Sequence, residues 1–494
     1  MSLDPRTPVL IGGGQLNHRP ETGVDAEEPV DMIVSAARLA ASDAGVPELV
    51  ERIDSVRVVG MLSWRYRDPG LLVAQRLAAS VRHTVYTGNG GSHPQALVND
   101  AAEDIAAGRC DIVLVGGAEA WRTRMRLKAH GERPDWTRQD DYVPVPETRP
   151  DVPMKDATEV VAGLDRPSYI YPLFEQAIRV AAGRSISAHR DTIAGLWARF
   201  NQVAVGNPDA WVQRSYTAED IATVSPANRM VSSPYTKLMN SNNGVEQAAA
   251  VLVCSVEAAR RYGVPEDRWV FLRSGSEASD TAQVAARPRL DASPAIAAAG
   301  RTALELAGIT LEDLGPVDIY SCFPSAVQIA ADALGLPIDD PDRPLTVTGG
   351  LTFAGGPWNN YSTHAIVTMV REVRRTQRPG LVTANSGYLT KHSIGVYAPT
   401  PGEAFRRASA QAEADSVTTT PVAKAYEGPA EMEAWTVAHD REGQPETAMA
   451  ALRTPDGART LARSAVPELA ERLASEDLAG AKVAVSADAT FDLP

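Results

Sequence analysis

Cysteine is scarce in this chain. Its 494 residues include three cysteines, Cys110, Cys254 and Cys322, which lie far apart in the sequence. Thiols spaced in this way cannot build a disulfide framework or a zinc site, whose ligands come in closely spaced pairs. The cysteine content therefore indicates a reducing compartment, and we expect a cytoplasmic protein.

Membrane and export signals are also lacking. No run of about 18 apolar residues occurs, so no membrane-spanning helix is predicted. The first residues, MSLDPRTPVLIGGG, contain no basic segment followed by an apolar one, so no signal peptide is predicted either.

Positive charge is in deficit. The chain has 48 Lys and Arg residues against 62 Asp and Glu residues, which gives a net charge of −14. Nucleic acids and anionic membrane surfaces bind basic patches, so this balance argues against both as partners. A local group of arginines could still bind an anionic small molecule.

The first 400 residues contain a repeated pattern, in a chain long enough for two or three domains. Residues 32–60 and 296–323 each contain a helix that closes at a glycine and leads into a β-branched strand. Glycine-rich turns at residues 90 and 355 each open a further helix that is followed by a strand. Four elements in the same order predict a duplicated α/β fold, with apolar strands buried on both faces.

Two regions depart from this pattern. Residues 121–230 are rich in Asp, Arg and Pro, and we interpret them as an inserted loop domain. Residues 402–494 contain short strands, a Pro-Asp-Gly turn and a helix, which predict a small β-rich domain, expected to be a barrel of the oligonucleotide-binding (OB) type. The two halves of the α/β body are then residues 1–120 with 231–270, and residues 271–401.

Six blocks of this body occur in the order found in the thiolase superfamily. They are Gly90-Gly-Ser-His-Pro-Gln-Ala96, Gly116-Gly-Ala-Glu-Ala120, residues 240–252, Tyr320-Ser-Cys-Phe323, Gly349-Gly-Leu-Thr-Phe-Ala-Gly-Gly-Pro357 and Asn385-Ser-Gly387. Together they resemble the sterol-carrier-protein-type thiolases. With its additional C-terminal domain, the whole chain resembles the thiolase-like proteins of type 1, which are often described as acetyl-CoA acetyltransferases. The resemblance implies a five-layered αβαβα fold made by duplication.

The blocks differ from the thiolases at all four catalytic positions. The family uses a nucleophilic cysteine, a histidine that activates it, a second cysteine as acid and base, and an asparagine or histidine that holds an oxyanion water. The resemblance places Gly90, Gly356, Asn385 and Tyr320 at these positions, in that order, and Asn242 where a thiolase has a serine. Glycine cannot form a thioester and no base is left, so we expect ordinary thiolase activity to be absent.

Three side chains remain as candidate reactive groups. Cys322 and His392 would restore a nucleophile and a base if the fold brings them together, although a buried cysteine and a loop histidine are the simpler interpretations. His93 follows the glycine turn, where it either caps the helix or takes part in catalysis. We also expect the N–H groups at this helix start, and the room left by Gly90, to be available to a thioester oxygen or a small anion.

Binding residues are expected at the pocket and in the inserted region. Amides do not titrate, so a pocket lined by Asn242, Asn359, Asn360 and Asn385 suits binding better than proton transfer. In the family the inserted domain supplies most contacts to coenzyme A, and arginines suit its phosphates while indoles stack on adenine. The candidates here are Arg184, Arg190, Arg199, Arg214, Trp197, Trp211 and Lys237.

We therefore predict a protein that binds coenzyme A or an acyl-CoA, in lipid or acyl-CoA metabolism, with no metal and no tightly bound cofactor. One alternative is an acyltransferase or thioesterase that uses non-standard residues. Another is a scaffold subunit whose C-terminal domain recruits an acyl-handling protein. Thiolases pair through the strand before the glycine turn, here residues 83–86, and the adjacent charge of Arg82 leaves both a monomer and a homodimer open.

Overall fold

The computed structural model describes residues 3–19 and 26–493. The strands are β1 (Pro8–Asn17), β2 (Ser55–Val58), β3 (His83–Tyr86), β4 (Ile112–Ala120), β5 (Met230–Ser232), β6 (Tyr235–Thr236), β7 (Glu246–Ser255), β8 (Val270–Ser279), β9 (Val317–Asp318), β10 (Gly380–Ser386), β11 (Lys391–Ala398), β12 (Arg406–Ser409), β13 (Gly428–His439), β14 (Pro445–Arg453), β15 (Arg459–Ser464), β16 (Lys482–Val485) and β17 (Phe491–Asp492).

The α-helices are α1 (Pro29–Asp43), α2 (Pro69–Arg76), α3 (His93–Ala106), α4 (Trp121–Ala129), α5 (Ala157–Val161), α6 (Pro167–Ala181), α7 (Ile186–Gly206), α8 (Ala218–Ala222), α9 (Val256–Arg261), α10 (Pro294–Ala307), α11 (Pro324–Leu334), α12 (Gly350–Phe353), α13 (Tyr361–Thr376), α14 (Gln411–Ala414) and α15 (Pro467–Ser475). Among the described residues, none of these helices combines the length and apolar character needed to cross a membrane.

One long sheet runs through the α/β body. Its strands lie in the order β3-β2-β4-β7-β1-β8-β11-β10-β9, and β12 pairs alongside β8. The two halves of the repeat each supply one run of strands, and the runs join where Val9 and Leu10 of β1 pair with Phe271 and Val270 of β8. Strands β4 and β7 are buried along their whole length, as expected for apolar strands that are covered on both faces.

Helices α3 and α13 form a layer between the two runs of strands, because each contacts strands of both halves. On the outer sides, α1 covers β1, β4 and β7, while α10 covers β8 and β11. The fold therefore has the αβαβα layers that the resemblance to the thiolases implies. The ends of α10 are also as expected. The Ser293 hydroxyl caps its start, and the helix ends at Gly308 with a φ of +66°.

The strand predicted after the helix in residues 296–323 is very short in the structure, because β9 ends at Asp318. The next two N–H groups do not bond to the backbone of β10. Ile319 N–H donates to the Leu345 carbonyl (2.9 Å), and Tyr320 N–H donates to the Thr383 hydroxyl (3.0 Å). Residues 320–323 therefore leave the sheet as irregular chain at its edge.

The inserted region covers the free edge of the main sheet. Tyr86 N–H of β3 donates to the Glu147 carbonyl (2.9 Å), and Gly88 N–H donates to the Arg149 carbonyl (2.7 Å). The Arg149 guanidinium is held in turn by two hydrogen bonds to Asp100, of 2.9 and 2.6 Å. The protein's own backbone therefore occupies the edge of β3, where a strand of a second molecule would otherwise pair.

The C-terminal region contains a second sheet, in the order β15-β14-β13-β16-β17. A parallel bridge between Arg463 and Thr490 links β15 to β17, which closes the sheet into a small barrel, and α15 packs on β13 and β14. The sequence prediction missed β15 and β17, which are short and partly polar. It also missed that β5, from an earlier part of the chain, pairs with β13 through Ser232 and Ala438.

Candidate functional site

A cavity of about 380 Å³ opens where the strand ends of the two halves meet. Aromatic, aliphatic, amide and hydroxyl side chains form its wall, and within the described part of the chain no Asp, Glu, Lys, Arg or His side chain lines it. The lining residues are Leu62, Asn89, Gly90, Gly91, Met154, Pro167, Ser168, Tyr171, Asn240, Ser241, Asn243, Tyr320, Cys322, Phe323, Leu351, Trp358, Asn359, Asn385, Ser386 and Gly387. Such a lining suits a neutral ligand group with a few polar atoms.

The glycine turn before α3 is fixed by side chains of the second half. Gly90 N–H donates to Asn359 Oδ1 (3.1 Å), and Asn359 Nδ2 donates to the Gly60 carbonyl (2.9 Å). Ser92 N–H donates to Ser386 Oγ (2.7 Å). The N–H groups of Gly90 and Ser92 are therefore not free for a thioester oxygen or an anion, and for these two groups the expectation is wrong, because the protein's own polar atoms already accept from them.

The space beside Gly90 is filled by His93. A β-carbon at Gly90 would lie 2.9 Å from His93 Cε1 and 3.0 Å from Ser386 Oγ. The His93 ring is buried behind the turn, and its Nδ1 bonds to the Gly88 carbonyl (3.1 Å), so Nδ1 carries the proton. Burial lowers the pKa of His93 to about 4, which leaves the ring neutral. The room expected from the glycine is therefore occupied by an imidazole that does not line the cavity.

Tyr320 lines the cavity opposite this turn. Its hydroxyl would lie 2.6 Å from a β-carbon placed on Gly91, so only glycine fits there without a shift. The ring meets Tyr361 edge-on, with 5.4 Å between the ring centres, and burial raises the pKa of the Tyr320 hydroxyl. Tyr320 is thus a neutral hydroxyl at the cavity wall.

Asn385 and Tyr171 form a polar pair at the cavity. Asn385 Nδ2 donates to the Tyr171 hydroxyl (3.0 Å), which also accepts a hydrogen bond from Leu389 N–H (3.0 Å). Asn385 Oδ1 is buried with no hydrogen-bond partner among the described residues. Burial raises the pKa of Tyr171 well above its usual value, so this pair does not ionise near neutral pH.

Cys322 and His392 occupy different places. Cys322 lines the cavity, where its thiol contacts the Tyr171 hydroxyl and where burial raises the thiol pKa to about 12. His392 lies behind the cavity on β11, and its Nε2 is 3.5 Å from Asp280 Oδ2. Within the described residues no hydrogen bond joins Cys322 to His392. The candidate nucleophile and base are therefore not paired, and burial keeps Cys322 a thiol.

Two of the expected binding amides are used inside the protein. Asn360 Nδ2 donates to the Gly117 carbonyl (2.6 Å), which ties α13 to β4. Asn242 lies next to the cavity without lining it, and its side-chain Oδ1 accepts a hydrogen bond from Gly244 N–H (3.3 Å). The neighbouring Asn240, by contrast, lines the cavity.

Both tryptophan candidates of the inserted region have ring faces that the protein itself covers. Trp197 is buried, stacks on Phe200 with 5.2 Å between the ring centres, and donates from Nε1 to the Thr352 hydroxyl (3.1 Å). Trp211 lies under the Arg19 guanidinium, 4.4 Å from the ring centre. Neither ring lines the cavity, and Trp197 has no face open to adenine.

The cationic candidates are spread over the inserted region, outside the cavity wall. Arg199 donates to a backbone carbonyl (2.6 Å), and Arg184 contacts a buried histidine (3.5 Å). Arg214 lies over a tyrosine ring, 5.0 Å from its centre, and Arg190 lines a separate hollow. Lys237 is exposed. Their part in ligand binding stays a prediction.

Sequence reasoning missed the cavity wall that α6 supplies. Tyr171 of this helix stacks on Phe323, with 4.6 Å between the ring centres. Pro172 has no N–H, so the Ser168 carbonyl one turn earlier accepts a hydrogen bond from the Ser232 hydroxyl instead. The aromatic run that follows Pro167 was the available signal, since a proline at a helix start and packed aromatics mark a fixed helix.

Glu119 anchors a further part of the wall. Its buried carboxyl accepts hydrogen bonds from Leu62 N–H (2.7 Å) and Ser63 N–H (2.8 Å), and Leu62 lines the cavity. Burial raises the pKa of Glu119 to about 7, although these hydrogen bonds oppose the shift.

Replacing Gly90 tests whether His93 fills the space beside it. We expect Gly90→Cys to lower the free energy of unfolding by about 1–3 kcal/mol, because the new side chain overpacks a buried site. Gly206→Ala is the control, since a β-carbon there has no atom within 4 Å. Urea unfolding measures both variants. The cost of Gly90→Cys should shrink in a His93→Ala background, and an equal cost in both backgrounds would contradict this packing.

The Glu119 carboxyl should make stability depend on pH. Its pKa is raised on folding from 4.5 to about 7, so the folded state binds the proton more tightly. The resulting stabilisation is present below pH 4.5 and is lost as the pH rises through 7, by about 3 kcal/mol. Denaturant unfolding at pH 4.5 to 8 should show a flatter profile for Glu119→Gln than for the wild type or the exposed control Glu257→Gln. Equal slopes would refute the assignment.

Comparison with known proteins supports the fold and the family. Residues 409–490 match the family model described as the thiolase-like protein type 1 additional C-terminal domain. The crystal structure of a monomeric SCP2-thiolase like protein type 1 from Mycobacterium smegmatis superimposes with a TM-score of 0.85 and 33% sequence identity, over 100% of both chains.

Two curated relatives are more distant. The 3-ketoacyl-CoA thiolase of Bacillus subtilis is 23% identical over 354 residues, which cover 68% of this chain and 81% of the relative. The acetyl-CoA acetyltransferase of Methanothermobacter thermautotrophicus is 26% identical over 182 residues, which cover 34% of this chain and 45% of the relative, so the match spans less than half of that protein. The identity to the Mycobacterium smegmatis protein extends over the full length, and the chain therefore belongs to the SCP2-thiolase-like proteins of type 1.

Proposed function

We propose that this protein binds coenzyme A or an acyl-CoA in the cavity beside Gly90 and does not catalyse thiolysis. One observation carries the proposal. The turn at Gly90 is closed by Asn359 and His93 of the same chain, whereas the cavity next to it stays open and uncharged. A thiolase needs a nucleophile and a base at this turn, while a binding protein needs only the cavity.

The cavity suits the thioester end of such a ligand. Its volume of about 380 Å³ takes an acyl group with the adjoining pantetheine, and the nucleotide would lie outside. The Tyr320 hydroxyl has no hydrogen-bond partner among the described residues, so it can donate to a thioester carbonyl. Phe323 and Trp358 supply apolar surface for the acyl group. Both curated relatives carry CoA thioesters in their names, which supports this ligand class.

Acyl transfer or thioester hydrolysis through Cys322 is the less well supported alternative. The thiol has a pKa raised to about 12 and contacts a tyrosine hydroxyl instead of an imidazole, so the thiolate that would attack is rare.

A role in lipid metabolism and a cytoplasmic location complete the proposal. A monomer is favoured because the segment around Glu147 already pairs with β3. The barrel of residues 402–494 is proposed to be OB-like, with α15 between its third and fourth strands.

Filling the cavity tests the proposed function. Ser168 lines the cavity on the first turn of α6, and we expect Ser168→Trp to weaken coenzyme A binding by about tenfold or more, because the indole takes up ligand space. Ala181→Trp is the control, since this residue is exposed at the far end of the same helix. Isothermal titration calorimetry with coenzyme A measures both variants.

An acetoacetyl-CoA thiolysis assay accompanies the titration. Binding by the wild type and by Ala181→Trp, without turnover, is the expected result. Equal affinity of Ser168→Trp and the wild type would place the ligand elsewhere. Turnover that Cys322→Ala abolishes would favour the enzymatic alternative.

A further inference from the structure

The C-terminal barrel is attached to two adjacent segments beside the cavity, to one directly and to the other through Arg287. One segment is α6, which carries Tyr171. The other is the turn of residues 387–390, which follows β10. The attachments are one ion pair, hydrogen bonds from a buried arginine to backbone carbonyls, and backbone hydrogen bonds, so the barrel is packed as part of the body.

Arg459 of β15 makes the first attachment. Its side chain is fully buried and bonds to Glu433 twice, through Nε (2.7 Å) and Nη2 (2.8 Å). Its remaining nitrogen, Nη1, donates to the carbonyls of Ala285 (2.9 Å) and Arg287. A single guanidinium thus joins the barrel to the segment that precedes α10.

Arg287 connects this attachment to the turn that begins at Gly387, which lines the cavity. Its buried guanidinium donates to the carbonyls of Tyr388 and Leu389 (2.8 Å) and to the Thr390 hydroxyl (3.3 Å). Leu389 has a φ of +56°, a conformation that a leucine adopts at a cost and keeps only where its surroundings hold it. Arg287 holds its carbonyl and the Tyr171 hydroxyl holds its N–H. The strained residue is therefore fixed from both sides.

The second attachment is made to α6. Arg179 of this helix is buried and forms two hydrogen bonds to the Asp477 carboxylate, of 2.8 and 2.7 Å, and its guanidinium lies 5.4 Å from the ring centre of Trp435. Strand β5 adds backbone pairing with β13, where Ser233 N–H donates to the Val437 carbonyl (2.9 Å). These contacts fix the helix from which Tyr171 reaches the cavity.

We propose that the C-terminal domain positions the cavity walls, with Arg459 and Asp477 as the positioning residues. Arg459 acts through Arg287 on residues 387–390, and Asp477 acts through Arg179 on α6. Neither residue is among those that line the cavity. The proposal depends on the proposed function only for the statement that this cavity binds coenzyme A, and it makes the domain a part of the site instead of a module that recruits another protein.

Hydrogen exchange on the full-length protein tests this role without a ligand. We expect Arg459→Lys to raise amide exchange of residues 387–390 by about tenfold, because lysine keeps the charge beside Glu433 but loses the donors to the Ala285 and Arg287 carbonyls. Exchange in β7 and α1 should stay unchanged. Arg463→Lys is the matched control, since Arg463 is an exposed residue of the same strand. Coenzyme A affinity should fall several-fold in Arg459→Lys and stay at the wild-type level in the control Arg463→Lys.

Asp477→Asn provides a second variant at a half-exposed position, which keeps the test decisive if Arg459→Lys does not fold. It should raise exchange in α6 and leave β7 unchanged. Exchange that rises equally throughout the chain, or that stays at the wild-type level in both segments, would overturn the proposal. A wild type that binds no coenzyme A would refute the proposed function, whereas the exchange data would still decide the positioning role.

Discussion

The hydrogen bond from Gly90 N–H to Asn359 Oδ1 is the contact on which the site depends. It joins the glycine turn of the first half to the helix start of the second half, and Asn359 continues the link to the Gly60 carbonyl. A buried N–H must find a partner, and here the partner is the protein itself. This bond fixes the cavity wall and also removes a donor that a substrate oxygen could use. The same hydrogen bond therefore holds the cavity in shape and leaves the Gly90 N–H unavailable to a ligand.

The position of His93 follows from the same constraint. With Gly90 held against the second half, the space beside its Cα can be filled only by a neighbouring side chain, and the buried neutral imidazole fills it. Interiors are close-packed, so a missing side chain is normally replaced by an adjacent one. Around the cavity, burial keeps Cys322, Tyr320 and Tyr171 in their neutral forms, because it raises the pKa of each. Within the part of the chain that the structure describes, the cavity wall therefore consists of neutral side chains.

The fold could be predicted from the sequence because its signals are local. Apolar strands, helices that close at glycine and glycine-rich turns repeat in order, and these elements occur in the structure with small changes of length. The packing beside Gly90 could not be predicted, since sequence does not give the direction in which the His93 ring points. Residue type suggests Trp197 as a ligand contact, yet its exposure depends on how α7 packs on α12, where its Nε1 donates to the Thr352 hydroxyl. The cavity wall on α6 could not be predicted, because Tyr171 and Phe323 lie far apart in the sequence and come together only when the chain folds.

The most direct test of the proposed function is to search for an acyl adduct on the protein. The native protein is incubated with radiolabelled acetyl-CoA, denatured in acid and analysed by intact-mass spectrometry and scintillation counting. We predict an unmodified chain that retains no label, together with reversible binding of the same ligand before denaturation. An acetyl group bound to the polypeptide, at Cys322 or at any other residue, would contradict the account.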